Sequence, residues 1–60
     1  MYARMRLRDM YQLWLECNQR ENDRVISPLY SRIWLQRQLN LKPNTAKHMN
    51  RMFIFWMKGI

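Results

Sequence analysis

The side chains that could carry covalent or acid–base chemistry are few and scattered. The chain has one cysteine, Cys17, one histidine, His48, and four acids, Asp9, Glu16, Glu21 and Asp23. Nucleophilic catalysis needs a nucleophile, a base and an orienting group converging in one pocket. Here His48 lies far along the chain from Cys17 and from every carboxylate. Three short elements are also not expected to enclose a pocket of several hundred Å³. One Cys and one His cannot supply a four-ligand zinc site, and a lone Cys forms no internal disulfide. The single glycine, Gly59, leaves no glycine-rich phosphate loop. The expectation is a protein that is not an enzyme and that uses neither a metal nor a cofactor.

The remaining chemistry is recognition of anions. Eleven Lys and Arg stand against four acids, for a formal net charge of +7. Such a balance suits nucleic acid, an anionic membrane surface or an acidic protein partner. Most of these cations are Arg, whose planar fork makes bidentate contacts with phosphate and guanine. One stretch concentrates side chains of this kind: Lys42, Asn44, Thr45, Lys47, His48, Asn50 and Arg51 occur within ten residues without an acid among them.

The elements that must position these groups follow from length and periodicity. Sixty residues, 48% of them hydrophobic, make one domain over residues 1–60 and not a disordered tail. A fold of this size buries only about 60% of the surface its unfolded chain exposes, so compact helix packing or a partner must supply stability. Pro28 and Pro43 divide the chain into three segments without internal glycine. The first predicts a helix from about Ala3 to Arg20, with Leu7, Met10, Tyr11, Trp14 and Cys17 on its apolar face and Glu16 paired with Arg20. On that face Cys17 is a small core residue. The polar run Asn18 to Arg24 reads as a loop. Ser27-Pro28 is a helix start signal, and the second helix runs to about Leu39. Its apolar residues lie on two sides, Leu35 and Leu39 on one, Leu29, Tyr30, Ile33 and Trp34 on the other, as suits the middle helix of a bundle. The third helix is expected to begin near Asn44 or Thr45, both good caps, and to stop near Met57 or Lys58, before Gly59.

From Leu39 to Met49 the chain reads Leu-Asn-Leu-Lys-Pro-Asn-Thr-Ala-Lys-His-Met. This resembles the helix-turn-helix of bacterial and phage repressors, whose common pattern is Leu-Gly-Val-Ser-Pro-Ser-Thr-Val-Ser-Arg-Ile. The resemblance covers about Arg32 to Arg51. The five apolar positions through which that family packs its two helices hold Leu35, Leu39, Leu41, Ala46 and Met49, and Pro43 and Thr45 match the turn. Two residues depart from the pattern. Gln36 stands where the family prefers a small residue. Asn40 stands where it prefers Gly, and Asn is the next most tolerant residue of positive φ. The resemblance implies base contacts from Pro43, Asn44 and His48 and backbone contacts from Lys42, Thr45 and Lys47.

Helical geometry supports the same assignment. With Met49 at the centre of the buried face, Ala46, Phe53, Trp56 and Ile60 fall within about 60° of it. The opposite face then carries Asn44, Lys47, His48 and Arg51, with Asn50 at the flank. A helix that enters the major groove needs such a face, where Asn can read adenine and Arg guanine. Beyond Arg51 the helix becomes apolar, and Ile54 and Phe55 cannot point inward together with Phe53 and Trp56. With Met52 and Trp34 they suggest a partner interface.

The expected protein is therefore an all-α, small three-helix bundle, with helices two and three forming the helix-turn-helix. It is expected to bind double-stranded DNA as a homodimer and to act as a transcriptional regulator, with size and resemblance implying a phage, prophage or plasmid origin. The rival is an interaction module docking on an acidic host protein. A membrane surface is the weaker third choice. The longest apolar run, Met52 to Met57, cannot span a bilayer, and no stretch has a signal-peptide pattern. With a single thiol, the expected location is the reducing cytoplasm.

Overall fold

The computed structural model describes residues 5–19 and 24–59. Three helices follow in chain order: α1 over Leu7–Asn18, α2 over Pro28–Gln38 and α3 over Pro43–Lys58. Among the described residues there is no strand, only an isolated antiparallel bridge between Gln19 and Val25. The all-α bundle expected from periodicity is the fold the chain adopts, with α2 and α3 packed together as a helix-turn-helix and α1 against them.

In α1 the helix starts later than the pattern suggested. Met5 is outside the helix and Arg6 is its extended N-cap, with no side-chain cap bond. The expected ends at Ala3 and Arg20, and the Glu16–Arg20 pair, lie outside the described residues. Asn18 belongs to the helix and not to the loop. It is fully buried, and its Nδ2 donates to the Trp14 carbonyl at 3.0 Å. Gln19 then turns extended, and the Ile26 N–H donates to the Asn18 carbonyl at 2.9 Å, closing the connection.

The inward stripe of α1 runs through Tyr11, Trp14 and Asn18, which corrects two sequence expectations. Cys17 is exposed and Leu7 is 43% exposed. The physical reason lies in the aromatic cluster. The Tyr11 ring centroid lies 5.3 Å from that of Phe53 and 5.2 Å from that of Trp56, and Trp14 lies 5.5 Å from Phe53. Burying these large rings outweighs burying one thiol, so the helix turns its Tyr11–Trp14 edge inward.

Helix α2 begins as its sequence signals. Ser27 is extended, its Oγ accepts from the Tyr30 N–H at 3.3 Å, and Pro28 occupies the first turn, where its missing N–H is no loss. Its inward line is Ser31, Leu35 and Leu39. The helix contacts both α1 and α3, as a middle helix must. Its second apolar side is only partly covered: Ile33 and Trp34 are half-buried, whereas Leu29 is 57% and Tyr30 54% exposed.

The turn to α3 passes through Asn40 at φ 54°, the only non-glycine residue with positive φ among the described residues. Helix α3 then starts at Pro43, with extended Lys42 as its N-cap, before the expected Asn44 or Thr45. The cause is Pro43 itself, which favours an extended residue before it and is preorganised for a first helical position. The Ala46 N–H closes the first turn on the Lys42 carbonyl at 2.8 Å. At the other end Gly59 caps the helix at φ −78°, so the stop uses no left-handed glycine.

The buried line of α3 is Ala46, Asn50, Phe53 and Met57. At 100° per residue these four lie within about 60° of one another. Met49, expected at the centre, is half-buried at the edge, and so is Trp56; Ile60 lies outside the described residues. Trp14, Leu35, Leu39, Ala46, Phe53 and Met57 form the core, one contribution from α1, two from α2 and its C-cap, and three from α3.

Candidate nucleic-acid interface

The inward stripe of α3 includes a polar contact inside the core beside buried Ala46, Phe53 and Met57. The Asn50 side chain is 4% exposed and touches both other helices. The indole Nε1–H of Trp14 donates to Asn50 Oδ1 at 3.0 Å, and Ser31 Oγ donates to the same oxygen at 2.8 Å. Asn50 Nδ2 donates in turn to the Pro28 carbonyl at 2.9 Å. The indole is donor-only and the carbonyl acceptor-only, so their positions dictate the amide orientation. Asn50 thus leaves the flank of the recognition face, where the sequence reading put it, and becomes a buried tie. Its position in the line Ala46, Asn50, Phe53, Met57 could have signalled this, because the spacing i, i+4, i+7, i+11 places it within the inward stripe. Ser31 and Asn18, both 0% exposed, are further buried polar residues, and their polar type alone gives no sign of burial.

With Asn50 inward, the opposite face of α3 is set. Asn44, His48, Arg51 and Phe55 fall within about 60° of one another, with Lys47 about 40° beyond Arg51. All five are exposed, as are Lys42, Pro43 and Thr45 at the start of the helix. The structure therefore brings the seven residues proposed from sequence, Lys42, Pro43, Asn44, Thr45, Lys47, His48 and Arg51, to the accessible side of one helix and its first turn. Helix α3 carries no acid, and the described acids of the chain, Asp9 and Glu16, are on α1. The first-turn N–H groups of Asn44 and Thr45 have no partner within the helix by geometry, which adds donors beside Lys42. Chemically this surface offers cationic and amide donors to an anion or to base edges.

The packing behind this face uses the residues that the repressor pattern pointed to. Leu35, Leu39 and Ala46 are buried, and Leu41 and Met49 are half-buried against the core. Gln36 is half-buried, and Asn40 takes the left-handed conformation where that pattern favours glycine.

The four expected interface residues separate. Trp34, Met52 and Ile54 are partly buried against the protein's own core. Phe55 is 72% exposed. The expected joint patch of Ile54 and Phe55 is thus divided, because Ile54 lies about 80° from the Ala46 position, close enough to the inward stripe to be half covered, while Phe55 points about 180° away. Phe55 instead borders an open groove of about 350 Å³ shared with Tyr11, Trp56 and Gly59.

No helix among the described residues is long and apolar enough to cross a membrane. No family model matches this chain, and neither a curated protein nor a solved structure is significantly similar to it.

Proposed function

We propose that the protein is a small DNA-binding regulator that places α3 in the major groove of duplex DNA. The observation that carries this is the outward, acid-free face Asn44, Lys47, His48 and Arg51, presented on a helix that follows a tight turn through Asn40. In this scheme Lys42, Thr45 and Lys47 neutralise phosphates and set the register. Pro43, Asn44, His48 and Arg51 meet base edges. The net charge of +7 adds a sequence-independent attraction.

The working unit we propose is a cytoplasmic homodimer. Its support is Phe55, a large ring in solvent beside the apolar groove of Tyr11 and Trp56. Two such protomers would present their recognition helices to successive major grooves, about 34 Å apart or a multiple of that. The test is titration of the protein against duplex DNA from the neighbourhood of its own gene and against a scrambled duplex of equal composition. Preferential binding to the first supports operator recognition. No binding to either at low salt overturns the proposal.

A further inference from the structure

No pocket of several hundred Å³ was expected from so short a chain, yet the seam between the start of α2 and α3 opens into two adjoining hollows. The first, about 390 Å³, is lined by Arg24, Val25, Pro28, Ile54, Met57 and Lys58. The second, about 290 Å³, takes in Leu29, Arg32, Lys47, Asn50 and Arg51 and shares Pro28 and Ile54 with the first. Because of the shared residues the two form one groove. Its floor is apolar, made by Val25, Ile54 and Met57, with Pro28 and Leu29 at the rim. Arg24 and Lys58 stand at one end and Arg32, Lys47 and Arg51 at the other, with no acid among the described lining residues.

We infer that this groove binds an acidic amphipathic peptide segment of a partner protein. Charge complementarity argues for the carboxylates, and the floor argues for the apolar side chains. Nucleic acid would satisfy the five cations but brings no aliphatic group larger than the thymine methyl for the floor. A lipid surface is flat, whereas Val25, Ile54 and Met57 are half-buried or buried at the bottom of a hollow, with Pro28 and Leu29 exposed at its rim. The α3 residues of the two hollows centre on Asn50–Arg51 and on Met57, about 10 Å apart along the axis. The matching ligand is a helix with two apolar residues seven positions apart and acids on either side. The inference does not rest on DNA binding, but it shares Lys47 and Arg51 with the proposed DNA face. A filled groove and bound DNA therefore exclude each other, and such a partner would release the protein from DNA.

The test uses a fluorescent helical peptide of about twelve residues, with Leu at two positions seven apart and Glu flanking them, and a scrambled peptide of the same composition. Anisotropy titrations are run on wild type, Leu29→Ser and Arg24→Gln, with circular dichroism melts as the fold control. Leu29 and Arg24 are exposed and outside the proposed DNA face. The patterned peptide should bind about tenfold more tightly than the scramble, and Leu29→Ser should remove about that factor. Arg24→Gln should weaken binding about two- to fivefold. Both variants should bind duplex DNA within about twofold of wild type, since neither residue faces it. Equal binding of patterned and scrambled peptide overturns the inference, as does wild-type peptide affinity in both variants. Binding to anionic phospholipid vesicles that Leu29→Ser abolishes, without peptide binding, assigns the surface to lipid and likewise overturns it. Peptide binding by a protein that ignores DNA would sink the DNA proposal alone.

Discussion

Trp14 of α1 donates its indole N–H to Asn50 of α3 at 3.0 Å, 36 residues away in sequence. That bond lies on the inward stripe of α3 and, with buried Ala46, Phe53 and Met57, sets which side of the helix faces out. It also makes a clear stability prediction. Asn50→Leu preserves volume but leaves the buried Trp14 indole N–H without its acceptor, whereas the Pro28 carbonyl keeps the Ser31 hydroxyl, which also donates to it at 3.1 Å. Such a change should cost about 1–3 kcal/mol in urea unfolding. A variant as stable as wild type would show that the hub contributes nothing.

The left-handed turn gives a second prediction. Asn40 tolerates φ 54° better than most residues but less well than glycine. Asn40→Gly should be neutral or up to about 1 kcal/mol stabilising, and Asn40→Val should lose about 1–2 kcal/mol. Equal urea midpoints for the Gly and Val variants would mean that the backbone strain is absent.

These two residues also mark what was legible in the sequence. The Ser27-Pro28 start, the helical periods and the turn at Asn40 are local features, written in neighbouring residues, and the structure keeps them. The orientation of α3 is not local. It depends on Trp14 needing an acceptor and on Asn50 reaching it between Ser31 and Pro28, a relation among three helices that no single helical wheel contains. The outward placement of Asn44, Lys47, His48 and Arg51 was nonetheless legible, because turning the buried centre from Met49 toward Asn50 leaves them accessible. Cys17 was misjudged because periodicity alone cannot rank a thiol against the rings of Tyr11 and Trp14.

The exposure of Cys17 is directly measurable. In the native protein it should react with a chromogenic disulfide reagent as fast as a free thiol in a peptide, because access does not require unfolding. Reaction only above the urea midpoint would place the thiol inside.

Self-association should depend on Phe55. Phe55→Glu replaces a 72% exposed ring with a charge at the edge of the Tyr11–Trp56 groove. Sedimentation should show a monomer with the helical content of wild type, whereas wild type should sediment as a dimer at high micromolar concentration. A monomeric wild type contradicts the proposed dimer.

The central claim is that α3 reads DNA, and one titration series tests it most directly. Wild type, Lys47→Ala, Asn44→Ala and His48→Ala are measured against a preferred and a scrambled duplex at two salt concentrations. Affinity should fall with salt at a slope of about −0.9 per phosphate neutralised. Lys47→Ala should weaken binding to both duplexes and flatten that slope by about one unit. Asn44→Ala and His48→Ala should each lose about 1–3 kcal/mol on the preferred site and little on the scramble. Wild type that does not bind at low salt, or three variants that bind like wild type, would contradict a groove-reading α3.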